Sequence, residues 1–139
     1  MNDPYRLRRF VDAQNGVYAQ VCAELRQGRK RTHWMWFIFP QIQGLGASPM
    51  ARKFAIVSLE EARAYLEHPV LGARLTECCL LVNRLEGRSI AEIFGHPDDL
   101  KFRSSITLFA QAQPDNQLFR DALEKYCDGE PDPSTLDRL

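Results

Sequence analysis

The chain has no long apolar run. Its longest, Trp34 to Pro40, is seven residues, whereas a membrane-spanning helix needs about 20. Cysteine is sparse and unpatterned: Cys22, Cys78, Cys79 and Cys127 form no C-x-x-C and have no histidine at zinc-ligand spacing. That argues against a metal site and for reduced thiols acting as small apolar groups. Met1 to Arg6 lacks the apolar stretch of a secretory signal, so a cytoplasmic setting is expected. Net charge is also lacking, at zero with a pI of about 6.8. Binding to a nucleic-acid backbone asks for a broad basic excess, so nucleic acid is disfavoured as a partner even with Arg6, Arg8, Arg9 and Arg26 near the start. Neither G-x-S-x-G nor H-E-x-x-H occurs, and no internal repeat or linker interrupts the chain. No cofactor is implied and no oligomeric state is set.

What is present is the composition of one folded unit. At 139 residues, 45% hydrophobic and 26% charged, with fourteen aromatics, the chain suits a single domain over residues 1–139. Charge is distributed unevenly: residues 1–53 carry nine Lys/Arg against three Asp/Glu, and residues 115–139 carry three against seven. The basic first third can attract an anion or be met by the acidic end within the fold.

Gly and Pro punctuate the chain at helix-length intervals, and the segments between them repeat near 3.6 residues. Asp3-Pro4 reads as a cap and first helical residue, leading to Leu7, Phe10 and Val11. Val17, Val21 and Leu25 share a face of a second helix that ends at Gly28. Ser48-Pro49 begins a helix carrying Met50 and Phe54. Ser58 with Glu61, and Ser89 with Glu92, read as capping boxes, and the first of these helices should stop before Pro69. Leu71, Leu75, Cys78, Val82 and Leu85 recur at spacings of four and three, which predicts the central helix over residues 69–86. Asp98 and Asp99 suit the first turn of the next helix, and Asn116 starts another that ends near Gly129. The expectation is a compact all-α domain of about seven helices, with Trp34 to Phe39 the one segment that reads as extended.

That segment lies in the densest chemistry of the chain, Gly28-Arg29-Lys30-Arg31-Thr32-His33-Trp34-Met35-Trp36-Phe37-Ile38-Phe39-Pro40-Gln41, which holds both tryptophans. With Glu24-Leu25-Arg26, Gly44-Leu45-Gly46, His68-Pro69-Val70-Leu71-Gly72 and Asp98-Asp99-Leu100-Lys101-Phe102-Arg103-Ser104-Ser105, it resembles the DUF1810 family (the Rv1873-like superfamily) across almost the whole chain. The resemblance implies a small multihelical bacterial protein and implies no activity.

The residues themselves frame three functional readings. In the first, a small anionic ligand, nucleotide-like or phosphorylated, lies between the Arg29–Gln41 block and the Lys101–Thr107 helix. Trp34 and Trp36 stack on a flat ring, Arg29, Lys30 and Lys101 supply charge, and His33, Gln41 and Ser105 supply polar contacts. The second makes the protein a hydrolase or transferase on such a ligand, with His33 as acid or base, Lys101 as electrostatic stabiliser, and Ser104 or Ser105 as a positioned hydroxyl. The third is a protein-interaction module presenting Trp34 and Trp36 as an exposed patch. Against all three stands ordinary core building, with Met35, Phe37 and Phe39 alternating inward and the serines bonded to their own helix.

Overall fold

In a computed structural model describing residues 2–139, the chain forms ten helices, six of them seven residues or longer. These are α1 (Arg8–Asn15), α2 (Tyr18–Gln27), α3 (Met35–Ile38), α4 (Pro49–Lys53), α5 (Leu59–Glu67), α6 (Leu71–Arg84), α7 (Ile90–Phe94), α8 (Asp98–Ala112), α9 (Gln117–Cys127) and α10 (Pro133–Leu136). The short helices α4 and α7 are announced by Ser48-Pro49 and by the Ser89–Glu92 box, whereas α3 and α10 are four-residue turns too short to show a period in sequence.

The caps explain most boundaries. Gly28, at φ 79°, closes α2 in the left-handed conformation that glycine adopts without strain. Ser89 and Glu92 form the reciprocal capping box. At α5 only half of the expected box forms. Ser58 accepts from the Glu61 N–H, but the Glu61 carboxylate turns to the Val57 N–H and to Arg9. Asp3 caps α1 from a distance: its carboxylate accepts from the N–H groups of Leu7 and Arg8 at 2.8 and 3.1 Å, across a turn in which Arg6 has φ 53°. The first helix therefore starts at Arg8 rather than beside Pro4.

Two expectations about architecture are corrected. The hub is α8, not the segment over residues 69–86: α8 packs against α3, α5, α7, α9 and α10, while α6 packs on α2, α5 and α9. Residues 104–110 of α8 are buried consecutively, so every face of this stretch is covered. Ser104, Ser105 and Thr107 gave that helix the look of a half-polar surface helix. The hydroxyls of Ser104 and Thr107 are absorbed internally instead, and that of Ser105 is buried without a partner. Thr107 donates to the Arg103 carbonyl, and Ser104 Oγ lies 3.0 Å from both the Leu100 carbonyl and Asp132.

The second correction concerns Trp34 to Phe39, which is a helical turn rather than an extended run. The Trp34 carbonyl accepts from Ile38 and the Met35 carbonyl from Phe39, and Pro40, which has no N–H to continue the ladder, follows. At about 100° per residue the turn cannot alternate sides. Trp34, Met35, Phe37, Ile38 and Phe39 all enter the core, and Trp36 alone is half-exposed. The chain then passes through an isolated parallel bridge between Ile42 and Ile56, in which Gln43 N–H donates to Ile56 O and Ile56 N–H to Gln41 O.

Arg9 fastens this loop to the bundle. Its guanidinium donates to the carbonyls of Tyr5, Arg6, Lys53 and Ala55 and to Glu61 at 3.0 Å, joining α1, the end of α4 and α5. Cys22, Cys78 and Cys79 are buried and Cys127 half-buried, all as free thiols. Among the described residues no helix is long and apolar enough to cross a membrane.

A candidate ligand cleft beside Trp36

The Arg29–Gln41 block divides into a closed half and an open half. The closed half hangs on Glu24, an acid on the buried side of α2 with 1% exposure. Its carboxylate accepts from the N–H groups of Arg31 and Thr32 at 2.6 and 3.0 Å, the Thr32 hydroxyl at 2.7 Å, the Gln20 amide at 2.9 Å and the Trp34 indole N–H at 3.0 Å. Burial pushes the Glu24 pKa up, but the donors from Arg31, Thr32 and Gln20 together outweigh it and hold the carboxyl at about 2. Trp34 is consequently a core residue whose one polar atom is satisfied, packed against Phe39 and Phe94.

The two lysines of the block and of α8 meet on one acid. Lys30 Nζ lies 2.9 Å and Lys101 Nζ 3.3 Å from the Asp98 carboxylate. Lys30 also sits 5.3 Å from the Trp34 ring centroid and Lys101 5.4 Å from that of Trp36. Asp98 thus does more than start α8: it ties the block to the hub helix and neutralises part of the charge assigned to a ligand.

The open half borders a cleft of about 370 Å³ lined by Trp36, Gln41, Gln43, Gly44, Arg52 and Phe54, among others. Its position follows from the turn at α3, which rotates Trp36 outward, and from the Ile42–Ile56 bridge, which brings the Gln41–Ala47 loop alongside α4. Gly44, at φ 93°, lets that loop turn and leaves room for the Arg138 guanidinium, which a Cβ at position 44 would strike. Arg52 has no acidic partner within ion-pair distance among the described residues. The cleft therefore offers an aromatic face, two amide side chains and one uncompensated cation.

The residues singled out from sequence are dispersed by this geometry. Trp36 and Gln41 line the cleft, and Lys101 Nζ lies 5.4 Å from the Trp36 ring centroid without being part of the lining. Arg29 and Lys30 line a separate recess with Arg88 and Glu92. His33 is exposed and lines neither. Ser105 is wholly buried with no hydrogen-bond partner for its hydroxyl, and Ser104 is engaged in joining α8 to the C-terminal turn. Sequence reasoning missed Glu24, Arg52 and Gln43. The available signal was at Glu24, an acid between the apolar Val21 and Leu25 on the buried side of a helix.

An all-helical domain with an open cleft beside a half-buried tryptophan matches the model of a protein family of unknown function, DUF1810, over residues 4–139. The chain belongs to that family. It is similar throughout to the conserved hypothetical protein Rv1873 from Mycobacterium tuberculosis, whose crystal structure superposes with a TM-score of 0.97 at 59% identity, covering 99% of this chain and 98% of that one. No curated protein matches the chain.

Proposed function

We propose that the protein binds a small anionic ligand bearing a flat ring, with the ring against Trp36 and the charge met by Arg52. The observation that supports this reading is the cleft itself, whose volume lies in the range of small-molecule sites and whose lining joins one aromatic face to convergent polar groups. The ring takes the exposed face of Trp36, while Lys101 stands within cation–π distance of that side chain. Gln41 and Gln43 supply donors and acceptors for the ring's edge. We place the anion nearer Arg52 than the Lys30–Lys101 pair, because Asp98 already neutralises part of the charge of those lysines. No histidine, acid, serine or cysteine is among the residues lining the cleft, so we read it as a binding site rather than a site of turnover. Trp34, buried and bonded to Glu24, does not join Trp36 in a surface patch, which weakens the interaction-module reading. Four free cysteines and the mycobacterial neighbour support a cytoplasmic, bacterial setting.

The test is a thermal-shift panel of nucleosides, nucleotides, aromatic carboxylates and sugar phosphates on wild type, Trp36→Leu and Arg52→Ala. A ligand at 100 times its Kd stabilises by about 2.7 kcal/mol, a shift of several degrees. Ring-bearing anions should give that shift in wild type and lose it in both variants. Stabilisation by sugar phosphates alone, or a panel without any shift on folded protein, contradicts the reading.

A further inference from the structure

The cleft does not end at Arg52. A second recess, of about 200 Å³, shares Gln43, Arg52 and Ala55 with it and runs on to Arg6, Lys53 and Glu61. Its charge is one-sided. Among the cations of the first third, Arg8 meets Asp12, Arg9 meets Glu61 within the wall of this recess, and Lys30 meets Asp98. Arg6, Arg52 and Lys53 have no acidic partner within ion-pair distance among the described residues.

The acid in the recess does not cancel them. Glu61 is 2% exposed, and its two oxygens are occupied by Arg9 at 3.0 Å and by the Val57 N–H at 3.0 Å. Arg9 in turn spends its donors on four carbonyls and Glu61, so it holds the wall rather than a ligand. Three cations left around a small recess suit a group of charge near −2 better than a single carboxylate, and a terminal phosphate carries about −1.5 to −2 at neutral pH. Arg52 borders both recesses, so one ligand can place its ring on Trp36 and its phosphate beyond Arg52.

Resting on the reading above, we infer that the two recesses form one site for a phosphorylated nucleoside, its base against Trp36 and its phosphate held by Arg6, Arg52 and Lys53. The sugar spans the Gln43 edge common to both. Charge on the ligand is recognised at the Arg6–Lys53 end and ring chemistry at the Trp36 end, so the two contributions separate by mutation.

Isothermal titration of the full chain with nucleosides and their 5′-monophosphates tests this, on wild type, Arg6→Gln and Lys53→Gln. The expected result is at least tenfold tighter binding of the monophosphate by wild type. That advantage should shrink several-fold in each variant, with nucleoside affinity unchanged within twofold. In wild type alone, millimolar inorganic phosphate should compete with the monophosphate and leave the nucleoside unaffected, a readout that needs no variant to fold. Nucleoside and monophosphate binding equally, or a phosphate advantage that survives both substitutions, overturns the two-part site while leaving the Trp36 cleft standing. Binding of neither compound class overturns both.

Discussion

Trp34 and Trp36 are two residues apart, share one helical turn, and have opposite roles. Trp34 is 1% exposed, with its indole N–H on the Glu24 carboxylate and its ring among Phe39 and Phe94. Trp36 is half-exposed, has Lys101 beside its ring and faces a cleft. The comparison teaches that a dense run of aromatic and basic residues need not be one site. A single turn of helix sends neighbouring side chains about 100° apart, so one half of the block is structural and the other is left to bind.

The largest effect that sharpens this contrast belongs to the closed half. Glu24→Gln should lose about 3 kcal/mol, because a buried carboxylate with five donors is replaced by an amide that cannot accept from all of them. A melt should show a fall of roughly 10 °C. The same carboxylate sets an acid dependence. Its pKa is depressed from an ordinary value of 4.5 to about 2, so its stabilisation is complete above pH 4.5 and is lost as pH falls towards 2. The difference in urea midpoint between wild type and Glu24→Gln should therefore narrow across that window; a gap that stays constant would break the assignment.

The tryptophans themselves come next. Trp34→Phe removes the indole donor and part of a fully packed ring, and should cost about 2 kcal/mol. Trp36→Leu should stay within about 1 kcal/mol of wild type, since its side chain is only partly buried at the edge of the core and leucine keeps much of that apolar contact. Equal losses would mean that the two halves are not distinct. Smallest is Ser105→Ala on the hub helix. The Ser105 hydroxyl is buried without a partner, so removing it should leave stability unchanged or raise it by up to about 1 kcal/mol. A clear loss would show that the hydroxyl has a role these contacts do not reveal.

Local chemistry in the sequence carried much of the fold. Gly28, the Ser89–Glu92 box and the break before Pro69 are all signals within a few residues, and each falls where expected. The helix over Leu71–Arg84 was equally legible from its apolar spacing. What was hidden depends on pairing between distant segments. The rank of α8 as hub was masked by Ser104, Ser105 and Thr107: the hydroxyls of Ser104 and Thr107 are met by the helix's own carbonyls and Asp132, and that of Ser105 is buried without a partner. The extended reading of Trp34 to Phe39 failed because continuous apolarity has no period of its own, and the turn is fixed by backbone bonds and by packing on α1 and α8.

For the site, Trp36 and Gln41 were visible as chemistry, and the structure places both on the cleft. Arg52 and Gln43 were not, because their approach depends on the Ile42–Ile56 bridge, a contact across fourteen positions. Lys30 and Lys101 looked like free cations until Asp98 was found between them.

The most direct test is a nucleotide titration followed by intrinsic tryptophan fluorescence on wild type and Trp36→Leu, paired with urea unfolding of both. The account predicts a saturable change in wild type that disappears in Trp36→Leu, with the two proteins unfolding within about 1 kcal/mol of each other. A signal that persists from Trp34 alone, or a Trp36→Leu protein destabilised as severely as Trp34→Phe, would contradict the division of the block into a closed half and a binding half.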